Sequence, residues 1–157
     1  MRFIKTRKPG LRQKEQLLRL WNNEYPRDLK DDDISELDEY LDKLEDLKHI
    51  LLANENDQIK GWYADFIRDD ERCFLTIFDS EFQGKRYGSE IIKIAKKANK
   101  ELNGWVIDTE DYLKANGQPY RSPVAFYRKQ GFQVIGNIRL KTEKISAIRI
   151  RWIRRSD

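Results

Sequence analysis

The 157-residue sequence carries one cysteine, Cys73, and one histidine, His49. A single thiol excludes an internal disulfide. With no His/Cys cluster at ligand spacing, no metal site of the zinc type is expected, and a cysteine nucleophile would lack the base partner it needs. His49 is read instead as a strand residue with a satisfied hydrogen bond. Long apolar runs are missing too. No stretch approaches the ~20 residues that cross a bilayer, and Met1 to Lys5 opens no signal-peptide core, so a soluble, cytoplasmic chain with no membrane partner is expected. Charge of one sign is also scarce. Against 31 basic residues stand 27 acidic ones, a net charge of +4, which describes a mixed, solvated surface better than a nucleic-acid footprint.

What is present describes a globular chain. Hydrophobic residues make up 39% and charged residues 37%, enough apolar surface for one core, and the length suits a single domain over residues 1–157, as a monomer or a homodimer. Arg2 to Arg7 reads as an edge strand and Leu11 to Tyr25 as a helix with Leu17, Leu18, Trp21 and Tyr25 on one face. Asp31, Asp32 and Asp33 offer N-caps for a second helix carrying Ile34, Leu37, Leu41 and Leu44. Three extended runs, His49 to Ala53, Ile59 to Ile67 and Cys73 to Phe78, are joined by polar turns and predict an antiparallel meander.

Beyond Phe78 the pattern changes period. Ile91, Ile92, Ala95 and Leu102 mark one helical face, Lys93, Lys96, Lys97 and Lys100 the other, and Asn103-Gly104 is expected to stop the helix. Trp105 to Ile107 is then a short buried strand, and a strand–helix–strand link favours parallel pairing. A polar loop from Asp108 to Ser122 leads to a helix from Pro123 to Gln130, and two strands follow, Phe132 to Gly136 and Ile145 to Ile153.

The chemistry concentrates where the strand ending at Phe78 passes through Gln83-Gly84-Lys85-Arg86-Tyr87-Gly88-Ser89 into the helix. The first turn of such a helix presents amides without intrahelical partners, and its dipole adds roughly half a positive charge. A pyrophosphate suits that place. Gly84 and Gly88 permit close backbone approach, and Lys85 and Arg86 add charge at the rim. Two glycines before a helix also suit a simple turn and cap, so the spacing alone leaves both readings open.

This segment resembles the signature of the GNAT superfamily of N-acetyltransferases, Q/R-x-x-G-x-G/A, with Gln83 and Gly88 at its first and last positions and Arg86 where the family usually has glycine. About forty residues on, Phe126-Tyr127-Arg128-Lys129-Gln130-Gly131-Phe132 looks like the family's LYxKxGF segment. The resemblance implies an α+β fold: a mixed, mostly antiparallel sheet of six or seven strands with helices on both faces, splayed between the strand ending at Phe78 and the strand Trp105 to Ile107. It implies acetyl-CoA as acyl donor, held by Gln83 to Ser89 and by the backbone of Ile77 and Phe78. It implies transfer of the acetyl group to an amine of an unidentified small molecule or protein, with Tyr127 as the acid that protonates the departing thiolate.

For the base that deprotonates the amine, Asp108 and Glu110 are candidates because they follow the strand Trp105 to Ile107. Asp111 and Glu71 are further possibilities, and each also reads as a solvated loop or turn residue. Two rival readings remain. One is a GNAT-like domain that binds acyl-CoA without turnover. The other is a nucleic-acid module built on Arg149, Arg151, Arg154, Arg155 and the helical lysines.

Overall fold

The computed structural model describes residues 1–30 and 33–155. Strand β1 (Arg2–Thr6) precedes α1 (Leu11–Glu24) and α2 (Ile34–Asp42). Asp33 caps α2, accepting from the Glu36 amide at 3.0 Å, while Asp31 and Asp32 lie outside the described residues. The meander β2 (Glu45–Ala53), β3 (Ile59–Arg68) and β4 (Glu71–Phe78) follows. Its second turn is tight because Asp69 and Asp70 both take positive φ, 53° and 62°, a conformation that aspartate tolerates better than most residues.

Helix α3 (Tyr87–Ala98) leads to β5 (Glu101–Val106), then come α4 (Val124–Lys129), β6 (Gln133–Lys141) and β7 (Ser146–Ile153). Several boundaries differ from the sequence reading: α2 ends at Asp42, before Leu44, and β2 opens at Glu45 rather than His49. Helix α3 ends at Ala98 rather than Leu102, because Asn99 turns to φ −135°, ψ 154° and its side chain bonds the Ala95 carbonyl at 2.9 Å. Leu102, Asn103 and Gly104 are therefore strand residues, and Leu102, which suited either period, is buried in the sheet. Strand β6 runs past Gly136 to Lys141, through an irregularity between Ile135 and Arg139 where its pairing with β7 shifts register.

The seven strands form one mixed sheet in the order β1-β2-β3-β4-β5-β7-β6, with only β4 and β5 parallel. Helices cover both faces. Leu17 and Leu20 of α1 and Leu37 and Leu41 of α2 pack on Leu51, Trp62, Ala64 and Ile77. On the other face Ile91, Ile92 and Ala95 of α3 and Tyr127 of α4 pack on Tyr63, Phe74, Leu102 and Ile150. Each large aliphatic side chain so buried contributes roughly 1.5–3 kcal/mol over leaving it in water. Among the described residues no helix is long and apolar enough to cross a membrane.

The sheet is open at its centre. β3 and β4 pair continuously from Arg68↔Glu71 to Gly61↔Phe78, whereas β4 and β5 share the single register pair Cys73↔Asn103. Above that point the parallel strands diverge. The close end is held by the Asn103 side chain, which donates to the Arg72 carbonyl at 3.1 Å, and by the Phe74 ring over Gly104, where an added Cβ would lie 3.0 Å from Phe74 Cε1.

Candidate active site

A cavity of about 680 Å³ occupies the opening between β4 and β5 and is lined from both faces of the sheet. Strand alternation decides which backbone groups face it. The Asp79 amide donates to the Lys60 carbonyl on β3 at 2.9 Å, so Ile77, two residues earlier, also turns its amide and carbonyl towards its partner Trp62 on β3. The Phe78 groups then point into the gap. Its carbonyl accepts a hydrogen bond there from Gln83 Nε2 at 3.1 Å. Of the pair named from sequence, Phe78 thus turns its backbone to the gap, with its carbonyl engaged by Gln83, and Ile77 offers only its side chain to the cavity wall.

The loop after Phe78 forms a short 3-10 turn, Ser80–Phe82, before α3 begins. The first bond of α3 runs from the Glu90 amide to the Arg86 carbonyl at 3.1 Å, which leaves the amides of Tyr87, Gly88 and Ser89 without intrahelical acceptors. Arg86, at the N-cap, holds φ 69°, ψ 3°. This left-handed conformation costs a non-glycine residue about 1–2 kcal/mol, and it is the conformation that glycine would adopt freely. Gly84 also has a positive φ, 79°. Gly88 is small for another reason: a Cβ there would meet the Phe126 ring at 3.1 Å. Gln83, Gly84, Arg86, Gly88 and Ser89 line the cavity. Lys85 instead lies over the Phe82 ring at 5.1 Å, and Tyr87 packs on the same ring at 6.1 Å.

Tyr127 of α4 lines the cavity. Its ring packs edge-on against Phe74, Phe126 and Phe132, and its hydroxyl is hydrogen-bonded to Thr76 Oγ1 on β4. Burial pushes the hydroxyl up to about 12, with the Thr76 bond opposing the shift. At neutral pH it is therefore a proton-bearing group and not an anion.

The carboxylates named from sequence do not converge on Tyr127. Asp108 is held in a two-point ion pair by Arg139, at 2.7 and 3.0 Å, and this hydrogen bonding holds its carboxyl below the usual range. Glu110 is exposed on the loop, and neither residue lines the cavity. Glu71 pairs with Arg149 at 2.6 Å. The carboxylate on the cavity wall is Glu24 of α1, which receives Lys114 Nζ at 3.1 Å and the Ser80 hydroxyl at 2.6 Å.

Known proteins account for this geometry. The Acetyltransferase (GNAT) domain family matches residues 46–134, more than half of the chain. The chain belongs to the GNAT family of acetyltransferases. Solved structures share the fold across the whole length. An aminoglycoside 6'-N-acetyltransferase complexed with coenzyme A is 14% identical, with 100% of both chains covered and a TM-score of 0.71. A variant of spermidine N-acetyltransferase from Vibrio cholerae is 15% identical over 98% of this chain and 95% of its own, with a TM-score of 0.65. A ribosomal-protein-alanine N-acetyltransferase from Brucella melitensis is 15% identical over 96% and 99%, with a TM-score of 0.64. Among curated proteins no sequence matches.

GNAT acetyltransferases take acetyl-CoA as their acyl donor, so this GNAT chain is an acyltransferase. The half of its cavity away from the glycine loop is built from residues that sequence reasoning did not assemble. Trp21, Tyr25, Tyr40, Trp105 and Tyr120 line it, drawn from α1, α2, β5 and the loop before α4. Trp21 touches Tyr25 at 4.7 Å and Tyr40 at 5.7 Å, both edge-on. Burial, reinforced by the neighbouring Tyr120, Tyr40 and Tyr127, pushes the Tyr25 hydroxyl well up. The only early sign of this wall is the pair Trp21 and Tyr25 on the core-facing stripe of the first helix.

Proposed function

We propose that the chain, acting as one domain, transfers the acetyl group of acetyl-CoA directly to a primary amine. The observation that carries this reading is the through-sheet cavity, which joins an anion-binding helix start on one face to an aromatic chamber on the other, with Tyr127 on its wall. The donor's pyrophosphate would lie at the free amides of Tyr87 to Ser89, with Gln83, Gly84, Lys85 and Arg86 around it. The gap-facing edge of Phe78 would pair with the amide-bearing arm of the donor, as an added strand pairs with a sheet edge.

In the transfer the amine nitrogen forms a bond to the thioester carbonyl carbon, and the carbon–sulfur bond breaks with its electron pair going to sulfur. Tyr127 supplies a proton, or a hydrogen bond, to that sulfur. The ammonium loses one proton to water before attack and a second as the tetrahedral intermediate collapses, and Tyr127 recovers its own proton from solvent. No dedicated base is assigned, since Asp108 and Glu110 lie off the cavity and an apolar chamber itself disfavours the ammonium form. The basic stripe that suggests nucleic acid is largely spent internally. Arg149 pairs with Glu71, Arg151 with Glu101, and Arg154 donates to the carbonyls of Lys96 and Lys97.

Incubation with acetyl-CoA and a panel of primary amines tests the reading. Free thiol should form in step with an N-acetyl product. Tight CoA binding by calorimetry with no turnover across the panel would instead identify a binding domain without catalysis.

A further inference from the structure

The acceptor chamber has a composition that bears on its ligand. Five aromatic side chains, Trp21, Tyr25, Tyr40, Trp105 and Tyr120, wall it, and Leu75 and Ile77 contribute apolar surface from β4. Aromatic faces and edges gain from stacking with a flat apolar body, and one ammonium is tolerated against them through its attraction to a ring face.

Its charges all but exclude a second positive centre. Of the charged residues on the cavity wall, Glu24 is the one acid, Arg68 and Arg121 are cationic, and Arg86 belongs to the glycine-loop end. Glu24 is already bound to Lys114, with side chains only 11% and 14% exposed, so it offers little net attraction to an incoming cation. Arg68 is fixed over the Phe66 ring at 5.1 Å, and Arg121 is exposed at the rim. A polyamine or an aminosugar drug would need anionic anchors for its additional ammonium groups, and would meet guanidinium groups where those anchors should stand. A mismatch of this kind selects by repulsion as much as by attraction.

We infer that this chamber takes an acceptor with one amino group on an aromatic body, of the 2-phenylethylamine class, and rejects polycations. The inference rests on the proposed acetyl transfer for its biological meaning, but the binding preference can be measured without turnover.

The experiment uses the full chain saturated with CoA, titrated by calorimetry with 2-phenylethylamine, propylamine, spermidine and kanamycin, alongside thiol release from acetyl-CoA with the same four amines. Binding of 2-phenylethylamine should be at least ten-fold tighter than that of propylamine, which lacks the ring, and of spermidine or kanamycin, which add charge. The double variant Arg68→Glu, Arg121→Glu, changed only at exposed positions, should narrow the gap between 2-phenylethylamine and spermidine by five-fold or more. Spermidine or kanamycin binding as well as the aromatic amine, no binding of any of the four, or an unchanged gap in the double variant overturns the inference. If the binding order holds and no amine is turned over, the chamber is as described and the proposed acetyl transfer is what fails.

Discussion

Tyr127 combines a ring deep in the aromatic core with a hydroxyl bonded to Thr76 on the wall of the cavity. Tyr127→Phe keeps the ring contacts and deletes the hydroxyl, so turnover should fall by about 10²-fold or more with little change in CoA affinity if the group acts as an acid. Because its hydroxyl is pushed up to about 12, it stays protonated across the accessible range. The pH profile of kcat/KM should therefore rise with deprotonation of the amine and show no falling limb below about pH 10, where a limb near neutrality would indicate another acid. His49 gives a separate prediction. Its Nδ1 accepts from Trp62 Nε1 at 3.0 Å, and its Nε2 is buried without a partner among the described residues. Burial, with Lys14 adding to it, lowers its pKa from 6.5 to about 4. The unfolded chain then binds the proton first, so this contribution to stability is complete above pH 6.5 and drains away as the pH falls towards 4. Urea midpoints measured between pH 7 and pH 4.5 should fall more steeply for the natural chain than for His49→Gln. The strand position of His49 is legible in the sequence, but only its Nδ1 meets the expected hydrogen bond, while Nε2 does not. The partner of Asp108, thirty-one residues away at Arg139, is not legible, because nothing local announces an ion pair closed by the fold.

Helix α3 and the loop before it are the element in which sequence and structure correspond most closely. The change from alternation in β4 to a three-and-four spacing after Gly88 is a local signal, and the glycine loop lies between the two patterns. The far end of the helix was not legible, since Leu102 satisfies both periods and only the Asn99 side chain, bonded back to Ala95 and across to Asp65, decides the break. Arg86 shows the same limit on a smaller scale. Its left-handed backbone keeps the loop shape that a glycine would give and places a guanidinium on the cavity wall. Arg86→Gly should therefore act in two directions. Relief of the left-handed strain, partly offset by the greater freedom of an unfolded glycine, should stabilise the chain by about 0.5–1 kcal/mol. Loss of the charge should weaken CoA binding several-fold, more at low salt than at high. Denaturant titration and calorimetry on the same preparation check both, and unchanged affinity would remove Arg86 from the phosphate site.

At the scale of the whole molecule, the strand and helix signals implied an antiparallel meander followed by one parallel crossover, while the full mixed sheet with helices on both faces came from the family resemblance. The acceptor wall was not readable because its aromatics come from four segments, Trp21 to Tyr25, Tyr40, Trp105 and Tyr120, that meet only after the sheet has formed. The β-strand order β5-β7-β6 likewise follows from long-range pairing, not from any local pattern. The divergence of β4 and β5 beyond Cys73↔Asn103 also sets the traffic of reactants. On the proposed acetyl transfer, a cavity lined from both faces of the sheet would let donor and acceptor enter from opposite sides and not queue for a shared entrance. Initial rates measured over a grid of acetyl-CoA and amine concentrations should give intersecting reciprocal lines, and product CoA should compete with acetyl-CoA but not with the amine. Parallel lines would mean that the first product must leave before the second reactant can enter, as through a single door.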